Sequence, residues 1–100
     1  MSYYSVLEVT PTSDEWIADY IDSATHLVTQ YGGKYLARTA NHECLEGQSD
    51  KVGLRIIIEW PTKACALAFM ADPTYQPHLQ ARTKGSISHH FLIEGKDDLD

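Results

Sequence analysis

The sequence predicts an α+β fold: a ferredoxin-like βαββαβ chain, with one antiparallel sheet in the strand order 4-1-3-2 and both helices on one face. Two kinds of periodicity and their order predict it. Residues 3–9, 34–40, 53–60 and 86–94 are apolar and largely alternating, the period of a strand. Residues 16–31 and 63–71 are apolar at helical spacing. Their sequence along the chain, strand, helix, two strands, helix, strand, leaves few other topologies once crossovers are right-handed.

Each element has a local reason. Pro11-Thr12 ends the first strand, and Thr12 with Glu15 three residues on forms a capping box that starts the first helix. Trp16, Ile17, Tyr20, Ile21, Ala24, Leu27, Val28 and Tyr31 make its apolar stripe. Asp14, Asp19, Asp22 and Gln30 face water, and Gly32-Gly33 supplies the left-handed cap that ends the helix. The second strand covers 34–40 and continues irregularly through 42–45, followed by a turn at 47–50. After the third strand, Thr62 caps a helix over 63–71. Asp72-Pro73 opens a further short helix towards Arg82, which Pro77 is expected to kink or break. The fourth strand spans 86–94. Residues 1–95 are read as a single domain and 96–100, almost all charged, as a frayed acidic tail.

The strands have two unlike faces. Leu54, Ile56, Ile58 and Trp60 oppose Arg55, Ile57 and Glu59 in the third, and Ser5, Leu7 and Val9 oppose Tyr4, Val6 and Glu8 in the first. The expected helix-side residues are Tyr35 and Ala37 in the second strand, and Ile87, His89, Phe91 and Ile93 in the fourth. The opposite face would then mix Tyr4, Val6, Leu36, Ile57 and Leu92 with Glu8, Arg38, Arg55, Glu59, His90 and Glu94. Such a face is too apolar to stay wet and too charged for an ordinary core. A sheet-to-sheet homodimer would bury the apolar positions and pair the charges. Glu8 and Glu59, on neighbouring strands, would then need Arg38 or Arg55 close by.

Bulk properties exclude several classes. A chain of 100 residues fits one domain, and its 43% hydrophobic and 22% charged content is ordinary for a globular protein. The net charge is −6, and the 8 Lys and Arg are scattered. No basic patch marks a nucleic-acid or anionic-membrane partner. No apolar run is long enough to span a membrane, and MSYYSVLEVT lacks the features of a signal peptide. Cys44 and Cys65, with no CxxC, are expected to be reduced thiols in a cytoplasmic protein.

Six pieces carry a family resemblance: YGGKYLAR (31–38), LEG (45–47), IIEWP (57–61), DPTYQ (72–76), Arg82 and FLIEG (91–95). Together and in this order they resemble the family called domain of unknown function 1330, of the dimeric α+β barrel superfamily. The resemblance covers nearly the whole chain and implies a dimer packed sheet against sheet. It implies no activity. Superfamily relatives include cofactor-independent monooxygenases of polyketide quinols, haem-binding enzymes, lactone isomerases and stress-response proteins, so fold carries no chemistry across. The sequence departs from the family's usual run at Asn41-His42-Glu43-Cys44 and at His89-His90.

The candidate residues fall into two groups. Arg38, Arg55, Glu59 and His90 share one expected sheet face, where an arginine can hold an anion and a carboxylate or histidine can move a proton. An ion-pair network at a dimer seam is the plainer reading of the same residues and is preferred. Arg38, Glu59 and His90 are the catalytic candidates. Tyr75, Gln76 and Arg82 follow the second helix and can close over a cleft between helices and sheet. Arg38, Glu59, Tyr75 and Arg82 are therefore the ligand-binding candidates.

Other residues carry less. His42 and Cys44 have the spacing of two ligands on one strand face, but no third or fourth ligand stands at a metal-site spacing, so no metal is expected. His89 and His90 must point to opposite faces. His26 and His78 lack any haem context, and no cofactor is indicated. Cys65 near a helix N-terminus reads as core. The function expected is small-molecule binding or a stress-related role in a cytoplasmic homodimer. The alternative is a cofactor-independent monooxygenase or isomerase acting on a small carbonyl or aromatic compound. An RNA-recognition-type domain has the same strand order, but would need aromatic and basic residues on the open sheet face, where only Tyr4 qualifies.

Overall fold

The computed structural model describes residues 1–48 and 51–100. Along the chain stand β1 (Tyr3–Pro11), α1 (Ile17–Gln30), β2 (Lys34–Thr39), β3 (Leu54–Trp60), α2 (Lys63–Ala71), α3 (Gln76–Lys84) and β4 (Ser86–Glu94). The strands form one antiparallel sheet in the order β2-β3-β1-β4, the ferredoxin-like order that the sequence predicts. Among the described residues no helix is long and apolar enough to cross a membrane.

The core lies between one sheet face and the helices. Leu7 and Val9 of β1 and Ile56, Ile58 and Trp60 of β3 pack with Ala24, Leu27 and Val28 of α1, Ala66 and Phe69 of α2, and Tyr75. Trp60 is wholly buried, and its indole N–H needs an acceptor. Ser5, also buried, provides it: Trp60 Nε1 donates to Ser5 Oγ at 2.8 Å. A serine among the inward positions of β1 is thus the partner of a tryptophan 55 residues away in sequence, on the neighbouring strand. The YGG motif has a similar logic. Gly32 takes φ +81° and closes α1, while a side chain on Gly33 would collide with Trp60 at 2.7 Å and Val28 at 2.8 Å.

α2 begins where its cap predicts: Thr62 Oγ1 accepts from Cys65 N at 3.1 Å. The start of α1 differs. Thr12 and Glu15 form no capping box, because the amides of Thr12 and Ser13 both donate to Gly85 O, at 2.8 and 3.2 Å. The Trp16 indole donates to Ser13 O at 2.9 Å and lies 3.1 Å from the same Gly85 oxygen, and the helix starts only at Ile17. Pro77 neither kinks nor breaks α3. It sits in that helix's first turn, where its missing N–H costs nothing. Asp72 instead organises the turn before it, its Oδ1 accepting from Thr74 N at 2.7 Å and Tyr75 N at 3.2 Å. β2 stops at Thr39, so residues 42–45 do not prolong it. In the expected turn at 47–50, Gly47 has φ +84°, while Ser49 and Asp50 lie outside the described residues.

Two face assignments are corrected. In β2, Tyr35 pairs with Ile58 but Ala37 pairs with Ile57, so Leu36 is an extra residue in a bulge. Beyond it the parity flips: Arg38 pairs with Ile56 and faces the helices, with Tyr35. In β4, Leu92 stands opposite Ser5 and His90 opposite Leu7, so His90 and Leu92 face the helices. Ile87, Phe91 and Ile93 lie on the open face, 62%, 64% and 49% exposed. The open face is therefore more apolar than expected: these three join Leu36 and Ile57 there, and only Leu92 leaves it.

Candidate functional site

A cavity of about 310 Å³ lies between the helix side of the sheet, α1 and α3. Its floor is β-sheet: Leu7, Val9, Leu54, Ile56 and Ile58. Aromatic rings form much of the remaining wall, in Trp16, Tyr20, Tyr35, Phe69 and Tyr75. These rings continue into the core as a chain of contacts. Trp16 meets Tyr20 edge-on at 5.5 Å between centroids, Tyr20 meets Tyr75 at 6.1 Å, and Tyr75 meets Phe69 at 4.2 Å. Phe69 then touches Trp60 at 5.3 Å. The cavity is thus walled by the same packing that holds the helices to the sheet, which makes it pre-formed.

Few polar groups reach this space, and they converge. Arg82, in the last turn of α3, is 3% exposed. Its Nη1 donates to Ser88 Oγ at 2.8 Å. Its Nε is enclosed without a hydrogen-bond partner among the described residues, and the guanidinium lies 5.7 Å from the centre of the Tyr20 ring. The Tyr20 and Tyr75 hydroxyls share a hydrogen bond of 2.7 Å. Burial, with Tyr20 adding to it, pushes the Tyr75 phenol far above its ordinary range. Burial likewise raises Tyr35. His90 hydrogen-bonds Ser5 Oγ through Nε2 at 2.8 Å, joining it to the Trp60 indole. Burial and then the nearby Arg82 charge depress its pKa from 6.5 to about 4, so the ring is neutral at pH 7. His90 also borders a smaller cavity of about 180 Å³, lined by Ser5, Ala66, Leu67, Met70 and Leu92.

Of the candidates chosen from the sequence, Arg38, Tyr75, Arg82 and His90 all line the large cavity. Arg38 does so because of the Leu36 bulge. Its guanidinium lies 3.9 Å above the Tyr35 ring and its Nη1 donates to Thr25 Oγ1 of α1 at 2.8 Å. Glu59 does not join them. It lies on the open face, accepting from the Tyr4 hydroxyl at 3.3 Å, with Lys34 paired to it across β2. Arg55 is on that face too, 3.6 Å from Glu8 on the neighbouring strand. The four-residue cluster expected on one face is thus divided between two.

The remaining candidates separate. His42 bonds Val52 O through Nε2 at 3.0 Å and meets Arg55 through Nδ1. Arginine only donates, so Nδ1 accepts and Nε2 carries the proton. The Cys44 thiol donates to the Glu46 carbonyl at 3.2 Å instead of facing His42. No group of three or more His, Cys, Asp and Glu converges among the described residues. Cys65 is half-buried beside its capping Thr62, and Gln76 bonds the Met70 carbonyl at 2.7 Å, away from the cavity wall. Sequence reasoning missed Tyr20, Tyr35 and Ser5, assigning them to core faces. Their hydroxyls at inward positions were the available signal.

Solved structures share this fold. A protein of unknown function from Rhodopseudomonas palustris superposes with a TM-score of 0.76 at 17% identity, over 96% of this chain and 83% of that one. A mutant of SnoaB, a cofactor-independent oxygenase from Streptomyces nogalater, gives 0.66 at 22% identity, over 98% and 96%. A dimeric ferredoxin-like protein of unknown function from Jannaschia sp. CCS1 gives 0.57 at 16% identity, over 91% and 98%. At these identities the likeness is one of fold. No curated protein matches the sequence. The model of one family, described as domain of unknown function (DUF1330), matches residues 2–96, and the chain belongs to that family.

Proposed function

We propose that the protein is a homodimer that binds a small, ring-bearing molecule in the cavity between sheet and helices. The observation that carries the reading is the cavity itself: largely apolar, walled by aromatic rings, with a few polar groups converging on it. Its volume is at the low end for ligand sites, which suits a compound of one or two rings. The open face supports the dimer. Ile57, Ile87, Phe91 and Ile93 make an exposed apolar surface across neighbouring strands, of a kind that marks a partner. The Jannaschia neighbour, a dimer with this fold, supports it as well. Two free thiols, Cys44 and Cys65, suit a reducing compartment such as the cytoplasm.

A second reading is enzymatic, and His90 favours it. A neutral imidazole beside a guanidinium is the arrangement needed to take a proton from a carbonyl compound or phenol while the arginine holds the resulting oxyanion. Cofactor-independent oxygenation or isomerisation are the matching reaction classes, and the SnoaB likeness is compatible with them. Binding is the stronger reading because a histidine with a pKa of about 4 is a weak base at pH 7.

One experiment tests both. Trp16 lines the cavity, so ligand entry should quench its fluorescence, and Trp16→Phe should remove that quenching. A screen of ring-bearing carbonyl and aromatic compounds is followed by melting temperature. A ligand at a hundred times its Kd adds ~2.7 kcal/mol, a rise of about ten degrees or more in a domain of this size. A rise without turnover supports binding. Turnover that disappears in His90→Gln supports the enzyme. A screen with neither quenching nor a shift refutes the cavity as a site.

A further inference from the structure

The charges around the cavity have the opposite sign to the protein as a whole. The chain carries a net −6, yet among the described residues the cavity wall contains Arg38 and Arg82 and no aspartate or glutamate. Arg82 is the sharper of the two. It is buried, its Nε has no hydrogen-bond partner among the described residues, and the groups that do meet it, the Ser88 hydroxyl and the Tyr20 ring, carry no negative charge. A guanidinium out of water normally sits against a carboxylate, because a buried charge left unpaired is strongly unfavourable. The ion pairs among the described residues do not include it.

The other ionisable groups in the wall do not supply the missing charge. Tyr75 and Tyr35 are pushed up, so their phenols stay protonated, and His90 is pushed down, so its ring stays neutral. Around Arg82, then, the wall offers a fixed positive charge, the hydroxyls of Tyr20 and Tyr75, and a neutral imidazole. The rest is hydrocarbon. Arg38 does not ask for a second anion in the same way: it is exposed, stacked on Tyr35 and bonded to Thr25.

We infer that the ligand is a monoanion: a one- or two-ring compound whose single anionic oxygen, from a carboxylate or from an ionised phenol or enol, sits on the Arg82 guanidinium. The inference rests on the cavity being the binding site and deepens that reading by naming the ligand's charge and its anchor. One buried cation matches one negative group. The aromatic and aliphatic wall matches an apolar body. Charge-assisted hydrogen bonds to the spare N–H donors replace the water that Arg82 loses on burial.

Matched pairs of acid and amide test it, with 1-naphthoate against 1-naphthamide and benzoate against benzamide. Binding to the wild-type protein at pH 7 is read by calorimetry and by Trp16 quenching. The acid of a pair should bind about thirtyfold tighter than its amide. In Arg82→Gln that preference should shrink to about threefold or less. If Arg82→Gln does not fold, the wild-type protein still decides: the ¹⁵Nε signal of Arg82 should move with naphthoate and stay put with naphthamide. A preference that survives Arg82→Gln, or an Nε signal indifferent to naphthoate, overturns the inference.

1-Naphthol separates the two sources of the anion. An absorbance spectrum of bound naphtholate at pH 7 points to an ionised phenol or enol. Naphthol that stays neutral beside tight naphthoate points to a carboxylate. Equal binding of acid and amide leaves the cavity as a site and removes the monoanion. Failure of both members of both pairs to bind removes the cavity reading, and the inference goes with it.

Discussion

Arg55 and Arg82 sit on opposite sides of the same sheet and are handled in opposite ways. Arg55, on the open face, is 3.6 Å from Glu8 across the β1–β3 ladder, and both side chains are more than 40% exposed. Such a pair contributes at most about 1 kcal/mol and leaves no charge stranded. Arg82, on the helix side, is buried, bonded to the Ser88 hydroxyl beside the Tyr20 ring and matched by no carboxylate among the described residues. The open face is apolar residues interrupted by paired charge, which a second sheet can cover. The helix side is apolar residues around an unpaired charge, which a packed core does not tolerate without another use for it. On the proposed function, one face serves assembly and the other a ligand.

The largest effect expected is on the open face. Phe91 is 64% exposed, so Phe91→Asp should cost the isolated fold little. In a sheet-to-sheet dimer the new carboxylate would be buried without a partner. The dimer should then weaken by about a hundredfold or more. Sedimentation equilibrium reads the change, and circular dichroism confirms that the fold persists. A variant that stays dimeric at wild-type affinity would move the interface off this face.

On the helix side, Ser5 is the acceptor for the Trp60 indole and a partner of His90. Ser5→Ala removes both contacts inside the core. An orphaned indole N–H should lower stability by about 1–3 kcal/mol, seen as a lower urea midpoint with an unchanged slope. The equivalent truncation on the open face, Tyr4→Phe, removes only a half-exposed contact with Glu59, 3.3 Å long, and should change far less.

His90 gives the helix side a pH dependence of its own. Its folded pKa of about 4 lies below the ordinary 6.5. The unfolded chain therefore takes up the proton first. Stability is full above about pH 6.5 and falls as the pH drops from there towards 4. The ring is only half-buried, so about 1–2 kcal/mol is expected over that window. His90→Gln should flatten it. Asp72 and Glu94, held below the usual carboxylate range chiefly by the Tyr31 and Tyr3 hydroxyls, lose their contribution only at lower pH. The two windows are separable in a series of thermal melts.

The strand order, α2 and its Thr62 cap were legible because each rests on local pattern and short-range chemistry. What was hidden rests on non-local facts. A bulge at Leu36 has no signature in KYLART, yet it rotates Arg38 from the open face to the cavity. β4 misled for a better reason. Its open-face residues, Ile87, Phe91 and Ile93, are more apolar than Ser88, His90 and Leu92 beneath the helices. The rule that apolar residues point inward still holds there if the interior meant is the one between two sheets. The capping box at Thr12 failed because Gly85, seventy-odd residues away, took the Thr12 amide and that of Ser13 beside it. Tyr75 and Arg82 were readable as a pair, but the absence of a carboxylate beside Arg82 among the described residues depends on all the walls of the cavity at once.

Glu59 makes the most delicate test of the comparison. It stood beside Arg38 in the sequence reading, and the fold puts the sheet between them. Glu59→Gln keeps an acceptor for the Tyr4 hydroxyl and removes one half-exposed charge opposite Lys34. Stability should change by no more than about 0.5 kcal/mol. The acid-over-amide preference of the cavity should be unchanged, since the sheet separates Glu59 from Arg82. Loss of ligand binding in this variant would mean that the two faces communicate and that open-face charge belongs to the ligand's site. An unchanged preference, beside its collapse in Arg82→Gln, would assign ligand charge to one face alone.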